Sequence, residues 1–162
     1  MSADEKKPAI RPARGNDMAA VSGIDARITG DAKPAYWTEM FERFGNRDDR
    51  YFLLAEDAAG TVLGYIAGEV RAWEFGSPPC GWVFAIGVDP DARVGKVGTQ
   101  LFDAISARMK AAGVDTVRTM IARDDELIMA FFRSQGMMAG PFVQLEMSVD
   151  GGWADEGGEA EP

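Results

Sequence analysis

Apolar residues recur along this chain at two spacings. The wider, helical one appears first at Met18, Val21, Ile24 and Ile28, with Asn16 or Asp17 as the cap and Gly30 as the stop. A second helix is predicted from Pro34, a favoured first-turn residue, carrying Tyr36, Trp37, Met40, Phe41 and Phe44 before Gly45. Val97, Leu101, Ala104, Ile105, Met109 and Ala112 predict a third, capped by Gly113. Ile128, Phe131 and Phe132 predict a fourth, entered through Asp124 or Asp125 and ended at Gly136. Short apolar or alternating runs predict strands at 9–14, 51–56, 62–73, 82–88, 116–122 and 144–149. On the third of these, Tyr65, Ala67, Glu69 and Arg71 share one face. The stretch 76–81, rich in glycine and proline, is predicted as a loop.

The run Trp82-Val83-Phe84-Ala85-Ile86 is apolar without interruption, as a strand buried on both faces requires. Gly87 breaks it, Val88-Asp89-Pro90 leaves the sheet, and Arg93-Val94-Gly95-Lys96-Val97-Gly98 forms a small basic turn that opens the third helix. In such a turn, free backbone N–H groups and the positive end of the helix dipole point outward together, which suits phosphate or pyrophosphate. Two familiar phosphate loops do not match. Gly95-Lys96 is followed by Val97, and Pro90 stands where a P-loop needs its first glycine. A dinucleotide fingerprint needs three glycines, and the turn has only Gly95 and Gly98.

Composition narrows the chemistry further. The 162 residues suffice for one domain with a buried core, expected over 9–149 between a flexible N-terminus at 1–8 and an acidic, disordered tail at 150–162. A net charge of −9 argues against a nucleic-acid partner and favours cationic ones. No apolar run is long enough to span a membrane, the N-terminus shows no secretory apolar region, and there is one cysteine, so a cytoplasmic location is expected. The chain has no histidine, so it lacks both the usual general base and the commonest metal ligand, and no metal is expected.

The strand, turn and helix resemble motif A of the GNAT superfamily, the acyl-CoA-dependent N-acyltransferases. In that pattern a strand ends in Val-x-Pro, and Gln/Arg-x-x-Gly-x-Gly/Ala opens a long helix. Val88-Asp89-Pro90, Arg93 and Gly98 match, while Lys96 replaces the middle glycine. A second stretch, Asp125 to Met137, is similar to motif B, with Asp125, Phe132 and Met137 where Asn, Tyr and Phe are usual. The resemblance implies an α/β fold with a mixed, mostly antiparallel sheet, a central splayed parallel strand pair and about four flanking helices. It implies acetyl-CoA as cosubstrate, its pantetheine arm along Ile86, Gly87 and Val88. Its pyrophosphate would lie on the turn of Arg93, Val94, Gly95, Lys96, Val97, Gly98 and Thr99, with Asp125 and Phe132 beside it. Arg93 and Lys96 either add charge there or are solvated surface. The two helices after the first strand would cover the acceptor, although their aromatics equally suit a core. Members often dimerise, so the resemblance admits a homodimer.

The implied reaction is direct attack by a primary amine, on a small cationic molecule or a protein, without an acyl-enzyme. Cys80 is then not needed as a nucleophile. The developing oxyanion would meet a backbone N–H near Val88. The acidic residue often found early in the central strand is absent here. Glu69 is the best substitute as base, against the alternative that it merely pairs with Arg71. Phe132 cannot donate a proton, so Tyr36, Ser134 or water would serve as acid, or the thiolate would leave unaided. A non-catalytic acyl-CoA-binding sensor or partner module is the alternative function.

Overall fold

The second strand along the chain carries Tyr51-Phe52-Leu53-Leu54-Ala55, apolar at every position because each of its faces lies in a different core. The computed structural model describes residues 7–151, apart from the side chains of residues 93–95. Its elements run β1 (Ala9–Pro12), α1 (Met18–Thr29), α2 (Pro34–Phe44), β2 (Arg50–Glu56), β3 (Val62–Arg71), β4 (Cys80–Val88), α3 (Val97–Ala111), β5 (Val117–Arg118) and α4 (Glu126–Ser134). The five strands form one sheet in sequence order; β1 to β4 pair antiparallel, and β4 pairs parallel with β5. The mixed, mostly antiparallel sheet, its parallel strand pair and the four helices are as the sequence predicts, but the pair lies at the edge of the sheet, because no strand among the described residues joins beyond β5.

On one face, Leu53, Ile66 and Val83 pack against Leu101, Ile105 and Met109 of α3 and Phe132 of α4. On the other, Phe52, Leu54 and Tyr65 pack against Met18, Val21 and Ile24 of α1 and Trp37 of α2. The neighbouring strand and α3 both lie close at Gly68, where a Cβ would come within 2.5 Å of Trp82 O and 2.9 Å of Met109 Cε. The chain has glycine there because nothing larger fits.

Two sequence expectations are corrected at the far edge. The strand predicted at 116–122 shrinks to Val117–Arg118, and the one predicted at 144–149 does not form. A strand needs a ladder to bind to, and β5 offers two residues of edge. Phe142 reaches that edge through its ring, with the Arg118 guanidinium 4.6 Å from the centroid, rather than through its backbone. The alternating apolar side chains Val143, Leu145, Met147 and Val149 are consequently exposed. Smaller differences are that β1 stops at Pro12, β3 stops at Arg71, and β4 starts two residues early, at Cys80. The stretches expected as a flexible N-terminus and an acidic tail fall largely outside the described residues. No helix among the described residues is long and apolar enough to cross a membrane.

Arg11 ties the first strand into the fold. Its Nη1 and Nη2 each donate to one oxygen of Asp17 at 2.8 Å, and its Nε donates to Glu56 Oε2 at 2.8 Å. Asp17 also accepts from the Arg14 N–H, and these bonds, the Arg11 side chain first, hold its carboxyl below the ordinary range. A depressed carboxyl contributes stability above its unfolded-state pKa and loses it as pH falls through the folded value. Asp17→Asn should therefore cost about 1–2 kcal/mol in urea unfolding at pH 7 and almost nothing below the Asp17 titration. A cost that does not shrink as the pH is lowered would show that the ion pair contributes nothing.

Candidate functional site

The site begins where β4 loses a neighbour. In the β3–β4 ladder Ala67 faces Ala85 and Gly68 faces Val83, so Phe84 is an extra residue, a bulge. On the other side, β5 pairs only at Gly81 and Trp82, and the last link is Thr119 Oγ1 donating to Val83 O at 2.9 Å. Beyond it the Asp89 N–H donates to Leu63 O of β3 at 2.8 Å. Because peptide groups alternate sides along a strand, those of Ile86 and Val88 point the opposite way, to the open side.

The start of α3 adjoins this free edge. Lys96 precedes the helix with φ 56° and ψ 28°, in the left-handed region. It occupies the position where motif A has its middle glycine, the residue that takes this conformation without strain. The first intrahelical bond is Gln100 N–H to Lys96 O, so the N–H groups of Val97, Gly98 and Thr99 remain free of helical partners. A Cβ on Gly98 would lie 3.1 Å from the ring of Phe131, so any side chain there must displace that ring.

Strand edge and helix start share one cavity of about 390 Å³. Ile86, Gly87 and Val88 form one wall, Lys96, Gly98 and Thr99 another, and Asp125, Ile128 and Phe131 a third. Thr99 Oγ1 accepts from Gln135 Nε2 at 3.0 Å, joining α3 to the end of α4. The loop between β4 and α3 is held from α1: Arg27 Nη1 reaches both oxygens of Asp89, and Nη2 reaches Asp91, all at 2.8 Å.

The sequence-predicted residues separate into two sets. Ile86, Gly87, Val88, Lys96, Gly98, Thr99 and Asp125 come together on the cavity. Val97 is buried in the core beneath the helix start, and the side chains of Arg93 and Val94 are outside the described residues. Asp125 is engaged as the cap of α4, accepting from the Ile128 N–H at 3.0 Å. Phe132 is buried behind the cavity, edge-on to Phe102 at 5.9 Å, and its neighbour Phe131 lines the cavity instead.

The three acid–base candidates do not converge there. Glu69 Oε1 accepts from Arg71 Nε at 2.8 Å, and Oε2 lies 3.9 Å from Arg50 Nε, so both its oxygens face guanidinium groups. Ser134 donates to Phe131 O at 2.6 Å, a bond within its own helix. Tyr36 is half exposed, edge-on to Trp37 at 5.2 Å. Cys80 is buried and faces Arg118 Nη1 at 3.4 Å.

Two buried polar residues outside the predicted set stand out. Tyr65 lies under Gly87, where a Cβ would meet its Cε1, Cζ and Oη at 2.6 Å, which explains the glycine. Burial, with Asp25 and Tyr36 adding to it, pushes the Tyr65 hydroxyl well above the usual phenol range. Asp25 is buried on α1, its Oδ2 accepting from Trp37 Nε1 and from Lys33 Nζ, each at 3.0 Å. The signal for Asp25 was present in the sequence. It continues the apolar stripe of Met18, Val21 and Ile28, where a carboxylate has no structural reason to be unless something pairs with it.

This arrangement defines an open-edged α/β acyltransferase fold. A model of the Acetyltransferase (GNAT) family matches residues 20–137, and the chain belongs to that family. A mycothiol acetyltransferase of Saccharomonospora viridis is 34% identical over 88 residues, covering 52% of this chain and 29% of that protein. Another, from Salinispora arenicola, is 32% identical over 135 residues, 79% of this chain and 43% of that protein. The matched stretches thus span less than half the length of these relatives. The aminoglycoside N-acetyltransferase AAC(6')-Iy in complex with CoA superposes with a TM-score of 0.78 at 14% identity, over 92% of this chain and 99% of that one. AAC(6')-Ih from Acinetobacter baumannii gives 0.73 at 16% identity, over 88% and 99%. These likenesses establish the fold.

Lys96 offers a direct test of the helix start. Lys96→Gly removes the left-handed strain of a residue with a Cβ and should raise stability by about 0.5–1 kcal/mol in thermal unfolding. A fall in stability would show that the lysine side chain makes a contact worth more than the strain.

Proposed function

We propose that the chain is an N-acetyltransferase that moves the acetyl group of acetyl-CoA directly to a primary amine. One observation carries this reading: the outward-facing strand edge at Ile86 to Val88 and the start of α3 at Lys96, Gly98 and Thr99 line a single cavity. The strand edge suits the amide-bearing arm of the cofactor, and the helix start suits its pyrophosphate. Gly87 and Gly98 keep both approaches clear.

The amine attacks the thioester carbonyl, a C–N bond forms, and the C–S bond breaks with its electron pair leaving on sulfur. The Val88 N–H, on the open edge, stabilises the charge that develops on the carbonyl oxygen. Holding amine and thioester side by side supplies much of the acceleration. An amine of pKa near 10 is about one part in a thousand neutral at pH 7, a deficit of about 4 kcal/mol. Glu69 faces two arginines and Asp125 caps a helix, so neither is placed as its base, and the proton goes to water. An ordinary thiol titrates near pH 8.5, so the thiolate leaves without an acid, and Phe132 costs the reaction little.

Thiol release from acetyl-CoA with a panel of amines tests the reaction. The rate should rise about tenfold per pH unit between pH 6 and 8 with no descending limb, and Glu69→Gln should leave that profile unchanged. A falling limb above pH 8 would mean that an enzymic acid takes part. Acetyl-CoA binding without thiol release from any amine would support the acyl-CoA-binding module instead.

Gly98→Glu tests the cofactor's place. It brings bulk against Phe131 and negative charge to the helix start, so calorimetry should detect no acetyl-CoA binding. Affinity equal to that of the unaltered chain would remove the cofactor from this cavity.

A further inference from the structure

Asp25 is a carboxylate taken out of water on the face of α1 that packs against the sheet, and among the described residues its ion-pair partner comes from outside that helix. Trp37 Nε1 already supplies a buried hydrogen bond to Oδ2, which joins α1 to α2. Lys33 Nζ meets the same oxygen from a partly exposed position just before α2, on the side of the pair that solvent reaches. Chemically, though, it is a primary alkylammonium seated on a buried anion. Three residues further along the same helix, about 4.5 Å in rise, Ile28 lines the cavity beside Gly87 and Val88. Tyr65 connects the two places, since its ring packs 4.9 Å from that of Trp37 and its hydroxyl end lies under Gly87.

We propose that Asp25 seats an ammonium group of the acceptor, and that Lys33 occupies this seat until the acceptor displaces it. The inference rests on the N-acetyltransferase reading. An ammonium at Asp25 keeps its charge and stands a helical turn from the cavity wall, so the nitrogen that is acetylated is a second one. The acceptor class is therefore a primary diamine or polyamine. The chain's net charge of −9 steers such cations toward it.

The matched pair 1,5-diaminopentane and pentylamine tests this, with kcat and KM measured for each by thiol release. The diamine should have the lower KM. Asp25→Asn keeps the size of the side chain and an acceptor for Trp37, and should raise the diamine KM about tenfold or more while the pentylamine and acetyl-CoA KM values stay put. Lys33→Met should lower the diamine KM about two- to fivefold by emptying the seat. A purely structural ion pair predicts no such gain. A diamine preference that survives Asp25→Asn, or a diamine KM that Lys33→Met leaves unchanged or raises, overturns the assignment alone. No thiol release with any amine overturns the transferase reading and this assignment with it.

Discussion

The ladder between β4 and β5 is kept to two residue pairs, with one side-chain bond from Thr119 beyond them, and the binding features follow from that short pairing. The bulge at Phe84 switches which peptide groups face outward, so that Ile86 and Val88 present theirs to an edge with no strand on it. An unpaired strand edge is costly unless something binds there. The chain places that edge beside the start of α3, where the first N–H groups have no acceptor within the helix, and both lie on one cavity.

Ion pairs hold the walls of this cavity in place more than they take part in its chemistry. Arg27 fixes the loop between β4 and α3 to α1, and Arg11 fixes β1 to β2 and to the turn before α1. Glu69 belongs with these, bridged between Arg71 on its own strand and Arg50 on the next. Both its oxygens face guanidinium groups that belong to the sheet. In the proposed reaction, amine and thiol then exchange their protons with water, and the protein contributes position and backbone dipoles.

Motif B shows how one residue's place can be read while its direction cannot. Phe131 and Phe132 differ by about 100° around α4. Which of them lines the cavity depends on how the helix docks over Phe102, and it is Phe131. The motif put a tyrosine's role at Phe132, but the packed helix turns that side chain into the core.

Local spacing was enough for much of the rest. The four helices, the apolar strand through β4, the basic turn and the two motif matches depend on residues within a few positions of one another, and periodicity and turn chemistry act over that range. Hence the family, the parallel crossover and the cavity walls at Ile86 to Val88 and Lys96 to Thr99 were legible in the chain alone. Asp25 was half legible, as a charge in an apolar stripe. Its partners Trp37 and Lys33, the arginine on each side of Glu69, Tyr65 beneath Gly87 and the unpaired run at 144–149 were not. Each depends on which distant segment arrives alongside, and only the packed sheet brings those segments together, because an ion pair or a ladder partner has no spacing in the sequence to betray it.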